Sequence, residues 1–414
     1  MQTRLHIRRF TLEALSPLLI SGGDDDPLLD NVLARDANGL PMLPATGIAG
    51  ALRARMDPAC ANAYFGYQDG DEGARSPLTL TDALFHWSDN KPRDGLVLDL
   101  SKIRQDKVAS FALQDSPVKR DHVRLNEYGV ADGNGKFIRS AAPRGSRFTF
   151  EISQWGDGKA LDTVADLIRE GLSLGGATRS GYGEMACIAE GRADLDLSSD
   201  KDWETYEAIA RADLGNSPID MVEVGPAEQK RTPGWRIEGR IEGPLITGGA
   251  PWEDEDRAPY REHFIAWENG EGRVAGPVPV LPASAIKGPL RHRTLFHLRK
   301  SDPENAEVLA KDLFGSERKD AEGHAGRLRF FEIVLAGSEE IRLTHVGIDR
   351  FTGGARKGVL FTDRMLWRPA LTIEIAQLGA IPKVAQDAFE KALADLKSGL
   401  LGIGADWGDG AGIF

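Results

Sequence analysis

The sequence contains one eleven-residue pattern twice. Residues 43–53 read LPATGIAGALR and residues 281–291 read LPASAIKGPLR, so both follow LPA-[ST]-x-I-x-G-x-L-R. A proline turn before a hydroxyl residue predicts a strand that leads into a helix, with Thr46 and Ser284 as the N-caps. The first helix is predicted to run from Thr46 to about Met56. Because a helix N-terminus attracts anions, the repeat predicts two equivalent units, each with an anion-binding helix start.

Further matches surround both copies of the pattern in the same order. A Gly-Gly turn precedes each copy, at 20–23 and 246–249, and a glycine-rich loop closes each half, at 174–185 and 402–412. Each half therefore reads strand, helix, strand, hairpin, strand, helix and glycine loop. A repeated order of this kind predicts an internal duplication of one α+β unit of about 190 residues.

The order of elements also predicts the fold of each unit. Two strand–helix–strand arms are typical of a ferredoxin-like β-α-β-β-α-β core, here with a large insertion between the middle strands. The insertions, at about 85–145 and 335–365, are predicted to form hairpins that project from the core. The predicted domains are 1–190 and 234–414, with a linker at 191–233.

Composition narrows the class of protein. The net charge of −12 disfavours nucleic acid as a partner, although a basic groove can exist on an acidic protein. The two cysteines, Cys60 and Cys187, lack the spacing of a metal site or a disulfide, and are predicted to be buried in a reducing cytoplasm. No apolar run is long enough to span a membrane, and the N-terminal residues alternate like a strand rather than a signal peptide.

A basic, turn-rich stretch lies within the first predicted insertion. Such a cluster predicts a phosphate-binding surface, although a solvated hairpin would have the same composition. Its basic residues are Lys102, Arg104, Lys107, Lys119, Arg120, His122, Arg124, Lys136, Arg139, Arg144 and Arg147.

The repeated order of these motifs resembles the RAMP superfamily. Within it, the chain is most similar to the CRISPR-RNA-binding backbone subunits of type III CRISPR effector complexes, which serve antiviral defence. Two such subunits in one chain resemble the double-backbone proteins of type III-D-like complexes. The resemblance covers both halves and leaves only the linker unexplained.

The resemblance implies two tandem ferredoxin-like (RRM-type) RAMP domains, each with an inserted β-hairpin thumb. It implies a cytoplasmic ribonucleoprotein that works without a membrane. The implied partners are CRISPR RNA, complementary target RNA, and other RAMP-type backbone and cap subunits. Copies of such subunits stack along the CRISPR RNA, and their thumbs kink the guide–target duplex.

The resemblance also implies which residues contact RNA. Glycine loops allow close backbone approach and offer N–H donors to phosphates, and the capped helix starts add cations. His122 and His345 occupy equivalent positions, where the alternative to RNA contact is a structural hydrogen bond that both copies inherited. The predicted RNA-binding residues are Thr46, Gly47, Arg53, Arg55, His122, Arg124, Gly175, Gly176, Arg179, Gly181, Gly183, Ser284, Lys287, Arg291, His345, Arg350, Gly402, Gly404 and Gly408.

In family members that cut target RNA, the acting aspartate lies in the loop after the Gly-Gly turn. The corresponding residues 30–36 read DNVLARD, so the resemblance implies that Asp30 is catalytic and Asp36 caps a turn. Asp30, with Asp26 nearby, would hold a divalent cation, Mg²⁺ or Mn²⁺, or orient the 2′-hydroxyl for attack on the adjacent phosphate. The alternative is a scaffold that binds CRISPR RNA without cutting.

The second copy departs from this pattern. A local match, EHFIAWE, places Glu262 opposite Asp30, and Asp254 and Asp256 are other candidates. The second domain therefore either cuts with a displaced carboxylate or serves as a scaffold. The absence of a basic residue opposite Arg35 in this alignment favours the scaffold.

Two other classes of enzyme fit the sequence less well. A stand-alone CRISPR-RNA-processing endonuclease usually relies on histidine chemistry, and the first strand–helix loop has no convincing histidine. A nucleotide-binding enzyme would be expected to carry G-x-x-x-x-G-K-[ST], which is missing from the sequence.

Overall fold

The chain folds into two compact units. A computed structural model describes residues 3–23, 31–125, 131–225, 233–249, 255–316 and 323–414. Unit 1 comprises Met1–Thr178, Tyr182–Lys230 and His263–Ala275, and unit 2 comprises Arg179–Gly181, Arg231–Glu262 and Gly276–Phe414. The boundaries differ from the predicted ones, because the described residues of the expected linker up to residue 225 belong to unit 1.

Unit 1 is a mixture of helices and strands. Its elements are β1 (Arg4–Ala14), β2 (Met42–Leu43), α1 (Ala45–Arg53), α2 (Pro58–Phe65), β3 (Tyr67–Asp69), β4 (Glu72–Ala74), β5 (Leu78–Leu80), β6 (Ala83–Phe85), α3 (Leu100–Gln105), α4 (Lys107–Ala112), β7 (Val118–Leu125), β8 (Ala131–Ala141), β9 (Arg147–Trp155), α5 (Lys159–Arg169), β10 (Leu172–Ser173), β11 (Glu184–Asp196), α6 (Asp200–Arg211) and β12 (Met221–Glu223).

The main sheet of unit 1 is built around β1. The strand order is β10-β11-β1-β9-β6-β2, with β12 on β11 and β5 on β9. Alternate residues of β1 face the core, where Phe10 and Leu12 are fully buried against Phe150 of β9 and the helices. Leu12 lies opposite Phe148 in the antiparallel ladder. Antiparallel pairing on both sides makes β1 the centre of the unit.

Helix α1 begins one residue earlier than predicted. Pro44 occupies the N-cap position in an extended conformation, and its own side chain makes no capping hydrogen bond. Thr46 is therefore the second helical residue, and the prediction that it caps the helix is wrong. The second copy behaves in the same way, because its helix begins after Pro282 and also lacks a side-chain cap. In α1 the first amide, that of Ala45, donates instead to the carboxylate of Asp82, which lies outside the repeated pattern.

Unit 2 repeats much of this plan. Two strands cross the boundary between the units, β15 (Arg261–Glu268) and β16 (Glu271–Leu281), because His263–Ala275 belongs to unit 1. The other elements of unit 2 are β13 (Pro233–Arg240), β14 (Pro244–Leu245), α7 (Ala283–Ser301), α8 (Ala306–Phe314), β17 (Leu328–Phe330), β18 (Ile333–Val334), β19 (Glu340–Ile348), β20 (Ala355–Trp367), β21 (Ala370–Gln377), α9 (Lys383–Lys397) and a 3₁₀ turn (Trp407–Asp409). None of the described helices combines the length and apolar character that crossing a bilayer requires.

The central sheet of unit 2 has the order β13-β21-β17. β13 and β21 form an antiparallel ladder in which Gly239 lies opposite Leu371. Among the described residues, β13 pairs only with β21, whereas β1 pairs on both sides. The sheet is covered by α7 and α9, whose apolar residues form the second core. Both units are therefore mixed α/β.

The two cysteines differ in their surroundings. Cys187 is buried in unit 1, and burial raises the pKa of its thiol to about 12. Cys60 is exposed, so the prediction that it is buried is wrong. Its position in α2 explains this, because only Ala61 of that helix is buried.

The core of unit 1 gives a direct test of this packing. Leu52 is 0% exposed, whereas Leu98 of the same unit is 88% exposed. We expect Leu52→Ala to lower the free energy of unfolding of this unit by about 2–5 kcal/mol. The matched change Leu98→Ala should alter it by less than about 0.5 kcal/mol. Urea unfolding of the full chain measures both, and equal effects would contradict the assigned core.

Candidate nucleic-acid interface

A cavity of about 360 Å³ opens in unit 1 between the start of α1 and the glycine-rich loop. It unites three segments that are far apart in the sequence: the Gly-Gly turn, the LPA-[ST] pattern and the glycine loop. Four predicted RNA-binding residues line it, namely Thr46, Gly47, Gly175 and Gly176. Their shared position supports the grouping that the sequence predicted.

The start of α1 supplies hydrogen-bond donors beside this cavity. The amide of Ala45 donates to Asp82 Oδ1 at 2.7 Å, and the amide of Gly47 donates to the Pro44 carbonyl at 2.9 Å. The amide of Thr46 has no acceptor among the described residues, and Thr46 is exposed. An N–H group in this position can donate to an anionic ligand.

The glycine loop lies directly against the Gly-Gly turn. The amide of Gly176 donates to the Leu19 carbonyl at 2.7 Å. Gly175 has a φ of 77°, and a Cβ there would lie 2.2 Å from the same carbonyl oxygen. Only glycine combines this left-handed conformation with so close an approach. Gly175 is therefore required for the wall of the cavity.

Unit 2 repeats this contact. The amide of Ala405 donates to the Ile246 carbonyl at 3.1 Å, and a Cβ on Gly404 would lie 2.4 Å from that oxygen. Gly408 has open space around its α-carbon, so packing does not require glycine there. The second glycine loop thus keeps the close approach at Gly404.

Two of the predicted RNA-binding arginines are engaged within unit 1. Arg53 donates to the Gly66 carbonyl at 2.5 Å. Arg55 donates to the carbonyls of Leu167 and Gly171 at 2.8 and 2.6 Å, at the end of α5. Both side chains therefore join helices to each other, a role that the sequence pattern did not indicate.

The predicted RNA-binding cations of unit 2 differ in whether they have hydrogen-bond partners within the chain. Arg179 donates to the Gly326 carbonyl at 2.9 Å, and burial lowers its pKa. Lys287 donates to the Ser180 hydroxyl at 3.3 Å. Arg291, which is half-buried, has no hydrogen-bond or ion-pair partner among the residues that the structure describes. RNA contact by these residues stays a prediction.

His122 lies inside the base of the β7–β8 hairpin. It is 9% exposed, stacks on Phe137 with the rings 4.9 Å apart, and its Nε2 lies 3.1 Å from the Tyr182 hydroxyl. Burial lowers the pKa of His122 to about 4, and the nearby Arg139 and Arg120 lower it further. The ring is therefore neutral at pH 7. RNA contact stays a prediction, while these contacts match the structural alternative.

His345 occupies the same place in the β19–β20 hairpin. It lies opposite Phe361, as His122 lies opposite Phe137, and the two rings stack 5.0 Å apart. Its Nε2 is 3.4 Å from Asp363 Oδ2. Unlike His122, the His345 side chain is 39% exposed, so it is open to solvent on one side.

The far end of the second hairpin exposes apolar side chains that the sequence analysis did not single out. Phe351 is 89% exposed, and Arg350 lies over its ring at 5.6 Å. The sequence signal is Phe351 beside Arg350 in a short glycine-containing turn, where a solvated hairpin would be polar. The exposed apolar residues at this end are Val346, Ile348, Phe351 and Leu360.

The predicted carboxylates fall in different environments. Asp26 and Asp30 lie outside the described residues, and so does the side chain of the predicted RNA contact Arg124. Glu262 is 8% exposed and accepts a hydrogen bond from the Tyr260 hydroxyl at 2.6 Å. In the described part of the chain, no group of three or more His, Cys, Asp or Glu residues could hold a metal ion.

Comparison with known proteins identifies the class. The model of the RAMP superfamily matches residues 11–186 and 240–414, so the chain belongs to this superfamily. A chain of the cryo-EM structure of type III-B Cmr-beta in the apo state is similar over 44% of this chain and 96% of its own length. Its sequence identity is 13% and its TM-score is 0.33. No curated protein matches the chain.

The glycine at position 175 can be tested by substitution. We expect Gly175→Ala to lower the free energy of unfolding by more than about 1 kcal/mol, because the methyl group meets the Leu19 carbonyl. The control is Gly50→Ala, in α1, where an added Cβ meets nothing within 4 Å. It should raise stability by about 0.5–1 kcal/mol. Thermal unfolding of both variants measures the difference, and similar stabilities would contradict the close approach.

His122 predicts a pH dependence of stability. Its pKa falls from 6.5 to about 4 on folding, so the unfolded chain binds more protons between these values. The contribution of neutral His122 to the free energy of unfolding is fully present above pH 6.5, and it decreases as the pH falls towards 4. The loss should be about 2 kcal/mol at pH 5. Urea unfolding at pH 7 and pH 5 should show a smaller difference for His122→Gln than for the original protein, and equal differences would contradict the shift.

Proposed function

We propose that the chain is a backbone subunit of a type III CRISPR ribonucleoprotein, which binds CRISPR RNA with both domains and cuts complementary target RNA. The observation that carries the proposal is the cavity of unit 1, which lies in a region matched by the RAMP family model. Its amides and glycines suit the phosphates of an RNA backbone.

The strand order supports the finer description of each domain. In unit 1, β11, β1 and β9 are followed by β5 and β6, with α1 and α5 in the connections. This order supports the ferredoxin-like palm that we propose for the domain, in which the long hairpins β7–β8 and β19–β20 would serve as thumbs.

The end of the second hairpin suits contact with bases. Exposed apolar and aromatic side chains stack on nucleobases with little dependence on sequence. Phe351 and Leu360, with Arg350 beside them, would therefore pack against adjacent bases rather than bind the phosphates of the backbone. In our proposal this surface contacts the guide–target duplex.

Cleavage is assigned to Asp30 of the first domain. Its carboxylate would accept the proton of a 2′-hydroxyl, whose oxygen attacks the adjacent phosphorus while the bond to the 5′-oxygen breaks. Water protonates the 5′-oxygen, and the products carry 2′,3′-cyclic phosphate and 5′-hydroxyl ends. A divalent cation, Mg²⁺ or Mn²⁺, would neutralise developing charge, and Asp30 and Asp26 are its proposed ligands.

The segment that begins at Asn31 is anchored by hydrogen bonds. Asn31 donates to the Ser140 carbonyl at 2.9 Å. Arg35 donates to the carbonyls of Ala112 and Gln114 at 3.1 and 2.6 Å. These bonds join the segment to β8 and to the end of α4.

A scaffold that binds RNA without cutting it is the second candidate. The buried, hydrogen-bonded Glu262 favours it for the second domain if Glu262 is the only carboxylate considered. The two candidates share the RNA-binding surface and differ only in cleavage.

Expression beside the neighbouring genes tests the class. We expect a discrete CRISPR RNA to copurify with the assembled complex, and an RNA-free monomer would overturn the proposal. In the complex, Asp30→Ala should lower one set of target-RNA cuts by about 100-fold or more, because the proton acceptor is lost. Asp71→Ala, an exposed aspartate of the β3–β4 turn, is the control. Labelled target RNA on a sequencing gel measures both, and cuts unchanged by Asp30→Ala would favour the scaffold.

A further inference from the structure

Unit 1 contains a connection that unit 2 lacks. The leucine of each LPA-[ST] pattern pairs with a later strand, Leu43 with β6 and Leu281 with β18, so β6 and β18 are equivalent. Residues 86–117, which include α3 and α4, lie between β6 and the first hairpin, whereas only 335–339 lie between β18 and the second. The longer connection is therefore not part of the duplicated plan.

Three leucines of this connection are exposed within five consecutive residues. The exposed fractions are 63% for Leu96, 88% for Leu98 and 57% for Leu100. Val97, between the first two, packs against the core of unit 1, so the chain alternates between core and solvent here. We call Leu96, Leu98 and Leu100 the leucine patch. Exposed apolar side chains grouped in this way are typical of an interaction site.

The backbone that carries the leucine patch is held in place. Asn38, which is buried, donates from Nδ2 to the Gly95 carbonyl at 2.9 Å and accepts the Val97 amide on Oδ1 at 2.8 Å. At the other end, Asp99 caps α3 by accepting the Ser101 amide at 3.1 Å. Since both ends are fixed, a partner would meet the leucines on an ordered backbone and lose little entropy in ordering it.

The charges beside the leucine patch favour an acidic partner at one end. Lys102 and Arg104 are the only charged residues of α3, and both are exposed. Arg104 lies on the same helix face as Leu100, four residues earlier, and has no hydrogen-bond or ion-pair partner among the described residues. Asp94, which precedes the patch, is also exposed. The charge therefore changes sign along the patch, which would set the direction of a bound segment.

This chemistry fits protein better than RNA. Single-stranded nucleic acid is bound by aromatic rings that stack on bases and by rows of cations along the phosphates. Leucine offers no ring, and the leucine patch is a wider apolar surface than a phosphate row would use. An apolar centre with charged residues at its rim is instead the usual anatomy of a protein interface.

We propose that the leucine patch is a docking site for a different protein, through an amphipathic segment whose apolar side chains cover Leu96, Leu98 and Leu100. Carboxylates at one end of that segment pair with Arg104 and Lys102, and these rim charges act on specificity and association rate. The inference goes beyond the proposed function, because the RNA-binding plan is duplicated whereas this patch occurs in unit 1 alone. Each chain thus has one such docking site.

The test places a photoreactive p-benzoylphenylalanine at position 98 of the full chain, expressed beside its neighbouring genes. After irradiation, mass spectrometry identifies the crosslinked peptide. We expect a peptide of another protein in which apolar residues adjoin Asp or Glu. The same photoreactive residue at position 222 is the control, because Val222 is 67% exposed in β12 of the same unit and should not crosslink to that peptide.

Substitutions then measure the contact with the identified protein. Leu98→Glu buries an unpaired charge on docking, so we expect about 10-fold less of the partner to copurify. Arg104→Glu should lower it by about 3-fold and make the remainder less sensitive to salt. Val222→Glu is the matched control and should change neither. Urea unfolding of Leu98→Glu should match that of the original chain, because the side chain is exposed in the free protein.

Each outcome bears on the inference. A crosslink only to RNA or to a second copy of this chain, a crosslinked peptide without acidic residues, or no crosslink would overturn it. Equal copurification with Leu98→Glu and Val222→Glu would overturn it as well. RNA in the same preparation tests the proposed function separately. An RNA-free chain that crosslinks as expected contradicts the proposed function alone, and CRISPR RNA without the crosslink contradicts the inference alone.

Discussion

The two units depend on one close approach of backbone to backbone. In each, a glycine in the left-handed conformation lies against a carbonyl oxygen at the start of the Gly-Gly turn. The oxygen belongs to Leu19, the residue before the turn, in unit 1 and to Ile246 in unit 2. This contact joins the last loop of a unit to its first strand. The cavity of unit 1 exists because a larger residue at Gly175 would force these segments apart.

The hairpins depend on a different interaction. In each, a histidine stacks on the phenylalanine opposite it, 4.9 Å apart in the first and 5.0 Å in the second. The surroundings have diverged: His122 is buried beside Arg120, Arg139 and Tyr182, whereas His345 faces Asp363. The same aromatic pair therefore lies in two different environments. In the first hairpin it is buried near a cation–π contact between Arg120 and Tyr182, and in the second it lies beside the carboxylate of Asp363.

The sequence predicted the larger features and missed those that depend on geometry. Repeated motifs are enough to reveal a duplication, so the two units and the grouping around Thr46 and Gly175 were predictable. The cap assigned to Thr46 failed, because proline can itself occupy the cap position. The engagement of Arg55 by distant carbonyls leaves no local trace in the sequence.

The duplication has an evolutionary consequence. In an assembly of identical subunits, each substitution appears in every copy, so one position cannot be adjusted alone. Here the two halves are encoded separately and are always made in equal number. The two hairpins already differ, because His122 is buried in the first whereas its counterpart His345 is open to solvent in the second. Fusion therefore permits specialisation without loss of stoichiometry.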